Sequence, residues 1–219
     1  YLSNSLYNWS NLSNLNQGKQ QLNKLDERFE NIGKIQNIFL HCFFDSSETK
    51  NLFRKLTSNK NTDFSRYNYF YALYVASTEN IKNAKEIVNS ALKLYPRNLL
   101  INQFKIDLNE NKNNFLFNCK KRHHVIAEIL YITANALSSQ SIYSLSNFYL
   151  NLARYLNDDF HSYDTLLAEN FYKINNFKKA KKIYKNIGNY GIAFNWYSSK
   201  QLARINIEEG EKNKALKLL

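Results

Sequence analysis

Small side chains return at a fixed phase along this chain of 219 residues. In the stretch 65–98, Ala72, Ala84 and Ala91 stand at positions 8, 20 and 27, and Pro96 stands at 32. In the stretch 127–160 the same three positions hold Ala134, Ser146 and Ala153. A further 34 residues on, the stretch from His161 has Ala168 at 8 and Ala180 at 20, with the larger Ile187 at 27. The last stretch, counted from Trp196, has Ala203 at 8 and Ala215 at 20. Two antiparallel helices approach closely only where the crossing residues are small. A small residue at 27 admits the first helix of the next pair, and large ones such as Phe171, Phe177 and Tyr184 fill the space around the crossings. The spacing therefore predicts stacked helix pairs.

Composition agrees. Five Gly and one Pro are too few for the many turns of a sandwich or barrel, or for a glycine-rich phosphate loop. A hydrophobic fraction of 44% and a charged fraction of 22% are those of a chain that buries a core. The expected fold is all-α, an α-solenoid of antiparallel helix pairs.

These positions carry a resemblance. The run Leu166-Leu167-Ala168-Glu169-Asn170-Phe171-Tyr172-Lys173-Ile174-Asn175-Asn176-Phe177-Lys178-Lys179-Ala180 resembles the tetratricopeptide repeat (TPR) family, whose unit is 34 residues. The resemblance implies a right-handed superhelix with a concave groove lined by the first helix of each pair, at repeat positions 2, 5, 9, 12 and 13. In this sequence those positions include Arg66 and Tyr69, then Glu128, Tyr131 and Asn135, then Glu169, Tyr172 and Lys173, then Lys200, Arg204 and Glu208. The expected partner-binding residues are Tyr69, Tyr131, Asn135, Glu169, Tyr172, Lys173, Lys200 and Arg204, because tyrosine and arginine dominate binding hot spots. Some TPRs clamp a peptide carboxylate with Lys and Asn at positions 5 and 9. Here Asn135 has the second position but Tyr131 has the first, so chaperone-tail binding is not implied. The stretch 127–219 further resembles bacterial exported proteins with degenerate TPRs, which implies a periplasmic location; without that resemblance the expectation is cytoplasmic.

The expected organisation has three parts. Residues 1–98 are degenerate helix pairs, the first of them broken near Gln17-Gly18. Residues 99–126 are an irregular joint or hinge, with one helix over 99–108 and a solvated loop over 109–114. Residues 127–219 are repeats, the last truncated, so that Leu216, Leu218 and Leu219 invite a cap or a larger assembly.

The formal net charge is +12. A-T-rich codon usage, visible also in 34 Asn, accounts for it better than a nucleic-acid footprint. The densest basic run, 178–185, is expected to turn its lysines to solvent while Ala180, Ile183, Tyr184 and Ile187 are buried. Docking on nucleic acid or an anionic membrane is the alternative function. No apolar run is long enough to span a bilayer.

Cys42 and Cys119 both lie among aromatics and read as buried free thiols. Cys119, His123 and His124 fall within six residues but have no second cluster to complete a zinc site. Serines are plentiful, yet none sits in a nucleophile motif. Asp158-Asp159 reads as the cap of a following helix. No catalytic, cofactor or metal site is expected. The expected function is a non-catalytic scaffold holding a protein or peptide.

Overall fold

A computed structural model describes residues 1–59, 61–112 and 115–219. Among the described residues the secondary structure is helical throughout, thirteen α-helices and two short 3-10 turns. The fold is all-α, a helical-repeat arrangement of consecutive, packed helix pairs. Two compact units divide the chain, Tyr1–Ile129 and Leu130–Leu219.

The first unit holds α1 (Leu2–Ser10), α2 (Leu15–Leu22), α3 (Glu30–Phe43), α4 (Thr49–Thr57), α5 (Tyr67–Thr78), α6 (Ile81–Leu94) and α7 (Leu99–Asn109). It also holds the start of α8 (Arg122–Ser139). Three helix starts are capped by asparagine: Asn14, Asn80 and Asn98 each accept a backbone N–H of the first turn. Asparagine and aspartate also replace glycine at helix ends. Asp45 and Asn111 take left-handed backbone angles, with φ of 55° and 54°. Their short polar side chains tolerate that region, and this is how a chain with so few glycines turns its corners.

An aromatic cluster forms the core of this unit. Phe39 from α3, Phe70 from α5 and Phe117 from the segment before α8 meet with ring centroids 4.7–5.4 Å apart. Phe53 and Phe104, buried in the same unit, extend the core into α4 and α7. Gly18 lies inside α2, so the break in the first pair is at residues 11–14 and not at Gln17-Gly18. The glycine is there for close approach: a Cβ on it would stand 2.5 Å from Leu40 Cδ1.

The segment expected as a joint, 99–126, packs as part of this unit. Phe117 is core, and Cys119 forms a disulfide with Cys42 of α3. This corrects the reading of two free thiols. Lys120 pairs with Asp45 and donates to the Phe43 carbonyl at 3.2 Å, and Arg122 donates to the carbonyls of Ser10 and Leu12. His124 Nδ1 accepts the Asn118 N–H at 3.1 Å. Asn113 and Asn114, at the end of the expected loop, lie outside the described residues.

The second unit holds the rest of α8, α9 (Tyr143–Leu156), α10 (Ser162–Lys173), α11 (Phe177–Ile187), α12 (Ile192–Glu208) and α13 (Lys212–Leu216). The phased small residues are its crossing points. Ala134, Ser146, Ala153, Ala168 and Ala180 are fully buried, and Ala203 and Ala215 nearly so. Their counterparts in the first unit, Ala72, Ala84 and Ala91, are buried too. Asn170, also fully buried, ties three helices together. Its amide donates to Ser146 Oγ at 2.8 Å and Asn147 Oδ1 at 2.9 Å, and its Oδ1 accepts from Ser138. Asp158 and Asp159 do not cap α10; His161 precedes it and no side chain caps it. The acid of its first turn is Asp164, paired with Arg154 at 2.6 Å.

A candidate partner-binding face

The first helices of the second unit, α8, α10 and α12, carry seven of the eight expected binding residues. Four are joined at the meeting of α10 with α12. Glu169 and Lys173 lie one turn apart on α10, with Nζ and carboxylate 4.0 Å apart. Arg204 reaches across from α12, its guanidinium 3.7 Å from the centroid of the Tyr172 ring and 3.6 Å from the Glu169 carboxylate. The Tyr172 hydroxyl donates to Glu208.

Beneath this surface lies a phenol pair. Tyr184 donates to Glu169 Oε2 at 3.0 Å. Burial, with Tyr197 and Glu169 alongside, pushes the Tyr184 phenol far above its ordinary value. Burial likewise holds Tyr197 up at about 12, with Glu169 adding to it. Both phenols therefore stay neutral at any physiological pH. Burial, then the bond to Glu208, raises Tyr172 in the same sense. The result is a platform in which Arg204, partly exposed, stacks on an aromatic face.

The remaining expected residues fall elsewhere. Tyr131 of α8 is half-buried, tilted against Tyr163 with centroids 5.5 Å apart. Asn135 is exposed on the same helix. Lys200 is exposed on α12, one turn before Arg204, with its Nζ over the ring of Trp196 at 5.6 Å. Tyr69 belongs to the first unit and is 3% exposed, wedged against Phe70 and Phe104. Its side chain is core, so it offers no surface to a partner. Two other groove positions are consumed internally: Arg66 grips the fully buried Glu128 carboxylate through two bonds of 2.7 and 2.8 Å.

Sequence reasoning missed one surface. Leu145, Phe148, Leu152 and Tyr155 are all exposed, and their spacing puts them in one row along α9, with the exposed Ile142 just before its first residue. The signal was present as a second apolar stripe opposite Ser146, Leu150 and Ala153, but it reads as core until burial is known. The basic run follows the expectation except at Ile183 and Lys181, which are half-buried. Lys178, Lys179, Lys182 and Lys185 are exposed on α11, Ala180, Tyr184 and Ile187 are buried, and Lys181 pairs with Glu209.

No protein-family model matches the chain. No curated protein matches it either. Among solved structures, one described as MamA MSR-1 C2 aligns over 87% of this chain and 92% of its own, at 12% identity and a TM-score of 0.34. A likeness that slight does not say what this chain does.

Proposed function

We infer that the chain is a non-catalytic TPR-type scaffold that binds another protein or a peptide on the α8–α10–α12 face of its second unit. The observation that carries this reading is the Arg204–Tyr172 stack, held by Glu169 and flanked by Lys173. It is an amphipathic, preorganised patch of the residue types that anchor interfaces. The Cys42–Cys119 bridge supports an oxidising, exported setting such as the periplasm, since disulfides persist in such compartments.

The test is affinity capture from native extract at low and high salt, using the intact chain and its Arg204→Glu variant. A protein retained by the wild type at both salts and lost from the variant is the expected result. Capture indifferent to Arg204→Glu would overturn the assignment of the face. The exposed lysines of α11 favour a second reading, docking on an anionic polymer or membrane. That reading requires retention only at low salt, with steep salt dependence. Tyr184, the aromatic among those lysines, is buried and offers no stacking platform to bases.

A further inference from the structure

We propose that a groove between α4, α5 and α6 in the first unit binds an acidic, aliphatic peptide segment of a partner protein, its apolar side chain on the groove floor and its carboxylate against Arg54.

The groove has a volume of about 540 Å³, within the roughly 300–1,000 Å³ usual for ligand sites. Its floor is apolar. Tyr71 and Val75 come from successive turns of α5, and Ile87 and Ala91 from successive turns of α6. Leu94 is left 73% exposed at the rim, a large aliphatic side chain held in water beside an apolar floor.

The two walls differ in charge. From α4, Lys50 and Arg54 stand one turn apart and both face the groove. Lys50 is taken by Glu79 at 2.6 Å. Arg54 is exposed and donates only to Asn51 Oδ1, at 3.0 Å; among the described residues no carboxylate lies within ion-pair distance of it. The Tyr71 hydroxyl makes no hydrogen bond among the described residues either, and lies near enough to Lys50 and Arg54 to feel their charge. The α6 wall carries Glu86. A ligand carboxylate is thus drawn to the α4 side and repelled from the α6 side, which fixes the orientation of what binds.

The open shape selects the source of that chemistry. A free amphiphile is held best in an enclosed cavity, whereas this groove is open to solvent along one side, and Leu94 extends its apolar surface past the floor. A chain segment covers floor and rim together. The groove shares no residue with the α10–α12 face, so either assignment can fail without the other.

The test is fluorescence anisotropy on the intact chain with a short fluorescein-labelled peptide alternating leucine and glutamate. Saturable binding is expected, weakened by Arg54→Glu at least about tenfold, the size of one lost charge contact. Ser90→Trp, which fills the groove from an exposed position of α6, is expected to abolish binding, while Arg204→Glu leaves it unchanged. Circular dichroism confirms that each variant is folded. Equal affinity for the peptide with glutamine in place of glutamate, or indifference to both groove variants, would overturn the proposal. So would octanoate binding in the groove where the peptide does not bind.

Discussion

The Ser146 hydroxyl donates to the Ala134 carbonyl at 2.7 Å, joining repeat position 20 to position 8 across the α8–α9 crossing. Both residues are fully buried, and the same hydroxyl accepts from Asn170. Ser146→Ala removes the bond and leaves the carbonyl dry, at a cost of about 1–2 kcal/mol. Ala134→Leu forces extra volume into the crossing and costs more, roughly 1–3 kcal/mol or above. Urea midpoints of the two variants check the order. A neutral Ala134→Leu would mean that the phased small residues are not contact points.

The Cys42–Cys119 bridge spans 77 residues of sequence. Closing a loop of that length lowers unfolded-chain entropy by an amount equivalent to about 4.5 kcal/mol. Reduction, or Cys42→Ser with Cys119→Ser, is expected to lower the urea midpoint of the first unit, and the double variant is expected to be insensitive to reductant. Thiol titration of denatured, unreduced protein checks the premise; it should find no free thiol.

Gly18→Ala sets two effects against each other. Alanine in a helix gains about 1 kcal/mol over glycine. Its Cβ, however, would lie 2.5–2.7 Å from the δ-carbons of Leu40, a side chain that is 1% exposed. Overpacking of that kind costs about 1–3 kcal/mol. The net effect of alanine is a modest destabilisation, and Gly18→Val is clearly worse. Chemical denaturation of both variants checks this; a stabilised Gly18→Val would mean that α2 can move off α3.

The helix pairs and their crossings were legible in the sequence because burial there demands a side-chain size, and a small side chain stands at every phased position from Ala72 to Ala215 except Ile187. The α10–α12 cluster was legible for the same reason: once the phase is known, Glu169, Tyr172, Lys173 and Arg204 fall on one face. Tyr69 was not, because a large side chain at a groove position turns inward where the neighbouring core has space, and only the packing of Phe70 and Phe104 shows that. The disulfide was not legible because two cysteines 77 residues apart give no sign that Phe117 carries Cys119 onto α3. Gly18 read as a break because close approach and chain reversal both select glycine.

Acid sensitivity follows from two histidines. Burial is the main cause that holds His41 below the ordinary imidazole value of 6.5; Lys19 adds to it and Glu48 opposes. Burial does the same for His161, against the pull of Asp159 and Asp158 and with help from Arg154. Asp164 also faces His161, at 3.8 Å. A lowered folded-state pKa means that the unfolded chain takes up the proton first. The stability these groups contribute is present above pH 6.5 and is lost as pH falls from there through the folded values. Asp107 and Asp164 are shifted up by burial and carry the opposite sign, in a lower window that begins near their ordinary value of 3.8. The urea midpoint is therefore expected to drop as the pH falls below about 6.5, the ordinary imidazole value. His41→Gln and His161→Gln should each flatten that slope, whatever they do to stability at neutral pH. A slope unchanged in both variants would assign the acid response to other groups.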